Sequence, residues 1–168
     1  MKVVCETERL VIRQFDLNDD GFILRLLNEE SFIRYIADKN VRTQADAIAY
    51  LKNGPLLSYR ALGFGLNMVT LKGSDVSIGM CGLLKRDQLE YPDLGFAFLP
   101  EFCGKGYGFE AAKAVLQTEM MDAGLETVMA VTLPDNLSSN RLLKRVGFRL
   151  SGTTEVNGSQ NNLYVYHR

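Results

Sequence analysis

The sequence has no tryptophan, one histidine, three cysteines and four prolines. Each scarcity excludes some chemistry. The single histidine, His167, stands next to the C-terminus. A zinc site with several histidines is therefore excluded within one chain, and a Ser-His-Asp triad would have to take its base from a terminal segment. Cys5, Cys81 and Cys103 contain no CxxC pair and are odd in number. Neither a disulfide framework nor a structural metal site is favoured, and a reducing, cytoplasmic location is expected. No apolar run approaches the ~18 residues of a membrane span, and no signal-peptide core is read at the N-terminus. Charge of one sign is also lacking: 19 basic and 20 acidic side chains leave a formal net charge of -1. Nucleic-acid binders usually carry a basic excess, so no direct nucleic-acid partner is expected.

What remains reads as one globular domain over residues 1–168. Apolar residues make up 46% and charged residues 23%, and a chain of this length buries about 70% of its unfolded surface. Leu10 to Phe15 alternates apolar and polar residues, as a strand does. Phe22, Ile23, Leu26 and Leu27 follow at helical spacing. Thr43 is a cap for a second helix ending near Asn53-Gly54-Pro55. Phe64–Leu71 and Val76–Leu84 read as a hairpin about Lys72-Gly73-Ser74-Asp75, and Asp93–Leu99 as a strand stopped by Pro100. A helix carries Ala112, Leu116 and Met120 on one face and ends at Gly124. Thr127–Leu133 is a strand. Asn136 and Ser138 are caps for a helix closed by Gly147. Two last strands meet through Asn157-Gly158, a type I′ turn signal. The pattern predicts an α/β (α+β) domain with a mixed sheet of about seven strands and about four helices.

Cys103-Gly104-Lys105-Gly106-Tyr107-Gly108 joins a strand to a helix N-terminus. Such a turn presents free N–H groups and the positive end of the helix dipole to an anion. The loop lacks the GK[ST] ending of a P-loop and does not fit GxGxxG, whose third glycine would fall at Phe109. Alone it also reads as a tight turn, and Lys105 as a solvated lysine. Downstream, Asn136, Ser139, Lys144, Gly147 and Phe148 form the spaced set N-x-x-S-x-x-x-x-K-x-x-G-F. Each residue separately reads as cap, first-turn or core residue.

Together these segments resemble the GNAT superfamily of acyl-CoA-dependent N-acyltransferases, and within it the RimJ/RimL-type branch of ribosomal-protein N-terminal acetyltransferases. Glu8-Arg9-Leu10-Val11-Ile12-Arg13 is similar to the branch's "ERLxLR" opening. Ile78-Gly79-Met80-Cys81-Gly82-Leu83 is similar to "IGxxGL". Leu94 through Ala112 resembles "IGYxLxPExWGKGYATEA", and Asn136 through Phe148 resembles "NxxSxxLLxKxGF". Two positions depart from the superfamily pattern. Cys103 stands at the Gln/Arg place of Q/R-x-x-G-x-G/A. Leu143 stands where many members have a tyrosine general acid.

The resemblance implies a twisted, mostly antiparallel GNAT sheet and attack of a neutral amine on the thioester of acetyl-CoA, without a metal. It assigns the CoA pyrophosphate to Cys103, Gly104, Lys105, Gly106, Tyr107 and Gly108, with Asn136 and Ser139 also at the donor. Pantetheine would align on Phe96, Ala97 and Phe98, and a main-chain N–H near Phe98 would polarise the carbonyl. Ser139 would stabilise the leaving thiolate. Glu155 is the implied base, with Asp93 or a water as rivals. Glu29, Glu30 and Asp38 would attract a cationic acceptor, or else form a charged helix face. The acceptor is a protein N-terminus or a small amine, and the protein a monomer or homodimer. A catalytically silent acyl-CoA sensor is the alternative, and a nucleotide-binding domain a third reading. An acyl-enzyme on Cys103 is disfavoured, because no histidine is available to activate it.

Overall fold

A computed structural model describes residues 2–168. Eight strands build one sheet: β1 (Val3–Glu6), β2 (Leu10–Gln14), β3 (Leu66–Leu71), β4 (Ser77–Leu84), β5 (Asp93–Phe98), β6 (Thr127–Thr132), β7 (Arg149–Val156) and β8 (Ser159–His167). Their spatial order is β1-β2-β3-β4-β5-β6-β8-β7. Among the described residues only β5 and β6 run parallel; the other neighbours are antiparallel. The α-helices are α1 (Asp20–Leu26), α2 (Glu30–Tyr35), α3 (Gln44–Asn53), α4 (Pro55–Leu62), α5 (Tyr107–Asp122) and α6 (Leu137–Val146).

The predicted caps at Thr43, Gly124 and Asn136 are found, whereas Ser138 lies inside α6. Thr43 and Asp46 form a capping box at the start of α3. Gly124, at φ +66°, closes α5, with Leu125 N–H bonded back to the Met120 carbonyl at 2.8 Å. Asn157 and Gly158 both have positive φ, 52° and 79°, as a type I′ turn requires.

The sheet has one strand more than predicted, and there are two further α-helices. β1 has only four residues with no clean alternation; it is a strand because β2 pairs with it. Six-residue α2 is too short to show a helical period. Gly54-Pro55 ends α3, as expected, but also starts α4, with Pro55 at a position where its missing N–H costs nothing.

Strand alternation sends side chains to two cores. On one face Leu10, Ile12, Val69, Cys81 and Leu83 pack with Ala112, Val115, Leu116 and Met120 of α5 and Leu143 of α6. On the other, Phe15, Met68 and Met80 pack with Ile23, Leu26, Phe32 and Leu51 of the first three helices. The two glycines of β4 are steric necessities. A Cβ on Gly82 would sit 2.0 Å from the Gly65 carbonyl oxygen, and one on Gly79 would strike Phe98 and the Ala97 oxygen. They allow the sheet to approach its neighbours closely beside the opening described next.

Candidate functional site

The parallel pair β5–β6 holds at one register position, Asp93 opposite Met129. Beyond it the strands diverge, and a cleft of about 1090 Å³ occupies the gap and its continuation over the helices. One edge of β5 therefore lacks a partner strand. Leu99 N–H donates to the Ile78 carbonyl at 2.9 Å, in register with the Ala97–Met80 and Gly95–Gly82 pairs. Antiparallel alternation then turns the N–H and C=O of Phe96 and Phe98 away from β4, toward the gap.

The glycine loop closes one end. Gly104, Gly106 and Gly108 line the cleft together with Cys103 and Phe109. Gly106 is the N-cap of α5 at φ +83°, and no side chain caps this 16-residue helix. The first helical bond found here runs from Glu110 N–H to the Gly106 carbonyl at 3.1 Å. The amides of Tyr107, Gly108 and Phe109 are thus free of intrahelical acceptors at the positive end of the dipole. Lys105 and Tyr107, which the sequence placed with the glycines at the donor, do not line the cleft.

Arg9 braces the loop from outside. Its Nε donates to Glu110 Oε1 at 2.7 Å, its Nη1 to the Lys105 carbonyl at 3.1 Å, and its main-chain N–H to Glu110 Oε2 at 3.0 Å. The Thr7 hydroxyl donates to the same Glu110 carboxylate, and the guanidinium covers the Tyr107 ring at 4.4 Å. Burial works to raise the Glu110 pKa, but the Thr7 and Arg9 hydrogen bonds hold it below the ordinary value. Arg141 and Arg145, one turn apart on α6, also line this end. The Arg145 guanidinium stacks 4.1 Å from the Phe109 ring. The sequence signal for these arginines is their spacing of four on one helix face.

Asn136 and Ser139 face the cleft from the start of α6. Asn136 Oδ1 accepts from Ser139 N–H at 3.3 Å, so the cap orients the serine. Behind them, buried Asn140 joins helix to sheet. Its Oδ1 accepts from Thr132, Asn162 and Tyr164 at 2.6–3.1 Å. Its Nδ2 donates to the carbonyls of Leu133, Pro134 and Asn136. Asn140→Ala is expected to cost about 2 kcal/mol, because it leaves several buried polar groups unpaired. Denaturant unfolding of the variant checks this.

The structure does not bring Glu155 into the cleft. Glu155 is exposed on β7, while its neighbour Val156 lines the wall, as the two-residue alternation of a strand dictates. Asp93 does not line the cleft either. It is 0% exposed, and burial raises its pKa against the pull of Arg86. Glu29 is the one carboxylate among the described cleft-lining residues. Of the three carboxylates expected to attract the acceptor or else to form a charged helix face, Glu29, paired with Arg25 at 3.5 Å, lines the cleft; Glu30 and Asp38, the latter paired with Arg42 at 2.7 Å, do not. Instead Lys39, Lys85 and Arg86 line that half. Loss of water and the Arg86 charge hold the Lys39 pKa below its ordinary value. At Cys103, burial and then the Glu101 charge raise the thiol pKa, the opposite of nucleophile activation. His167 contacts Thr127 at 3.1 Å and lies outside the cleft.

Residues 9–149 match the acetyltransferase (GNAT) domain family. The chain belongs to the GNAT acetyltransferase family. Among curated relatives, the uncharacterized N-acetyltransferase YnaD of Bacillus subtilis is 30% identical over 146 residues, covering 87% of this chain and 82% of YnaD. YoaA of the same organism, also an uncharacterized N-acetyltransferase, is 26% identical over 169 residues, covering 97% and 94%. Solved structures share the GNAT fold. An acetyltransferase from Agrobacterium tumefaciens superposes with a TM-score of 0.85 at 20% identity, covering 98% and 94% of the two chains. The ribosomal L7/L12 acetyltransferase RimL, solved with coenzyme A, gives 0.82 at 16% identity, covering 99% and 98%. This GNAT chain thus carries its family's sheet with structural neighbours in the RimL branch. Arg9 and Glu110, both inside the segments that carried the resemblance, gain a role that sequence did not supply: they fix the loop that bears the free amides.

Proposed function

We propose that this GNAT acetyltransferase uses acetyl-CoA to acetylate a primary amine by direct attack. The observation that carries the reading is one cleft joining an uncapped helix N-terminus at Gly106 to the main-chain edge of Phe96 and Phe98 that no strand covers.

The pyrophosphate of the donor would take the amides of the loop from Cys103 to Gly108, with Arg141 and Arg145 supplying positive charge. The pantetheine amides would pair with Phe96 and Phe98 beside Ala97, as an added strand does. A Phe98 amide aimed at the thioester oxygen would stabilise the oxyanion. The amine nitrogen forms a bond to the carbonyl carbon, and the carbon–sulfur bond breaks. The CoA thiolate leaves toward Ser139, whose hydroxyl donates to the sulfur. The amine proton passes to Glu29, directly or through water, since Glu155 and Asp93 lie outside the cleft.

Thermal unfolding with acetyl-CoA, CoA, ATP and NAD in parallel tests the donor. A ligand at about 100 times its Kd stabilises by about 2.7 kcal/mol. Stabilisation by CoA species alone, with amine-dependent CoA release, supports the reading. Tight CoA binding with no release for any amine selects the silent sensor instead. Ser139→Ala is expected to lower kcat about tenfold, or about 1.4 kcal/mol, with CoA affinity unchanged. Steady-state kinetics and calorimetry together check both halves of that expectation.

A further inference from the structure

We infer that the acceptor is a small primary amine that also carries an anionic group, a carboxylate or a phosphate, and that Lys39 and Arg86 bind this group. The inference rests on the acetyl-transfer reading and names its substrate class.

The argument begins with position. Lys85 and Arg86 directly follow β4, whose last residue, Leu84, pairs with Asp93 at the first residue of β5. The glycine loop follows the other end of β5. Six strand residues separate these ends by about 17 Å. Cations at the Asp93 end are therefore remote from the loop assigned to the donor's pyrophosphate. Lys39 reaches the same half of the cleft from the connection between α2 and α3.

The nearby carboxylates are engaged. Glu29 and Glu101 pair with Arg25, Asp38 with Arg42, and Asp93 with Arg86. Lys39 has no carboxylate within ion-pair distance among the described residues. Lys85 gives its ammonium to the carbonyls of Arg86 and Leu89. The lining of the acceptor half thus holds three cations, Lys39, Lys85 and Arg86, against one carboxylate, Glu29, with the buried Asp93 behind Arg86. It repels a polyamine or an aminoglycoside and attracts an anion.

Arg86 is also built into place. Its Nε donates at 3.0 Å to Oδ2 of Asp93, a fully buried carboxylate. Burying a carboxylate is costly, and this one serves a single partner: its Oδ1 has none. Asp93 is a positioning residue that fixes the guanidinium and leaves both Nη groups free to grip an anion bidentately. Ile36, Leu57 and Leu62 are 41–48% exposed along the same cleft and offer an apolar flank to the rest of the molecule.

The experiment measures kcat/KM with acetyl-CoA for matched acceptors: α- and ω-amino acids, aminoalkyl phosphates, the corresponding decarboxylated or dephosphorylated amines, and spermidine. Binding of the same acceptors to the CoA-saturated protein is followed by calorimetry. Anion-bearing amines should exceed their neutral-tailed counterparts at least tenfold in both readouts, and the better of carboxylate and phosphate identifies the group. Lys39→Glu, on an exposed side chain, should remove that advantage while CoA affinity stays unchanged. The double variant Arg86→Gln/Asp93→Asn should do the same without leaving a buried charge unpaired. Preference for spermidine or the decarboxylated amines, or an undiminished preference in Lys39→Glu, overturns the inference while acetyl transfer stands. CoA release with no acceptor at all overturns the transfer reading, and this inference with it.

Discussion

Gly106→Asp is expected to weaken CoA binding about 100-fold and to leave the protein folded. Gly106 caps α5 at φ +83°, a conformation that costs a non-glycine residue about 1–2 kcal/mol, least for Asp and Asn. A Cβ there meets only the Arg9 Nη2 at 3.2 Å, the far end of a flexible side chain. The fold can therefore accept the change. The ligand cannot do so equally well. A carboxylate at the bare helix end replaces the attraction felt by a phosphate with repulsion. Two unit charges 4 Å apart interact by about 4 kcal/mol at an effective dielectric near 20. Half of that already approaches the roughly 2.7 kcal/mol of a 100-fold loss. Calorimetry gives the affinity, and a melt without ligand gives the fold. Gly106→Ala separates strain from charge: it should lose far less affinity than the aspartate. Equal affinity in Gly106→Asp and the native protein would remove the loop from the donor site.

The second large effect is on stability against pH. Glu119 on α5 is 6% exposed, and burial drives its pKa from the ordinary 4.5 up to about 7. The hydrogen bond from Asn67 Nδ2 at 2.7 Å restrains the rise. Because the folded pKa is the higher one, the folded state keeps its proton while the unfolded chain ionises. This contribution is complete below pH 4.5, shrinks as pH rises, and is lost above about 7. At about 1.36 kcal/mol per pH unit between the two values, the loss is about 3 kcal/mol. Carboxyls held below their ordinary values, such as Glu101 and Glu110, act in the opposite sense but below the same pH. Denaturant unfolding between pH 5 and 8 should therefore show stability falling with pH. Asp93, whose pKa burial also raises, adds to the fall in the same sense, and Glu119→Gln, which keeps an acceptor for Asn67, should make the slope shallower. An unchanged slope in the variant would show that Glu119 is ionised in the folded protein throughout.

Most of the fold was legible because it is written in local signals. Thr43, Gly124 and Asn157-Gly158 are cap and turn residues whose side chains or backbone freedom act within a few positions. What escaped was structure made by distant partners. β1 is a strand through its pairing with β2, and α2 has too few residues to display a period. The same division runs through the site. The glycine loop and the Asn136–Ser139 cap are contiguous patterns, and the structure places them on one cleft. The base is a matter of which way a strand residue faces, and a one-residue alternation puts Val156 rather than Glu155 inside. Arg86 and Lys39 lie 47 positions apart in the chain, and no local pattern reports that they meet.

The single register position joining β5 to β6 also has a mechanical meaning. β1 to β5 are hydrogen-bonded in sequence order, and β6 to β8 close among themselves. The chain crosses between these two blocks through α5, and the ladders on either side are complete without it. The main-chain link between the blocks is therefore slight, and what holds them together is the core they share, where Val69 and Leu83 of one and Val128 and Ala130 of the other cluster with Ala112 and Leu116 of α5. An extended amide arm laid along β5 would supply, on that open edge, the main-chain pairing that β6 withholds.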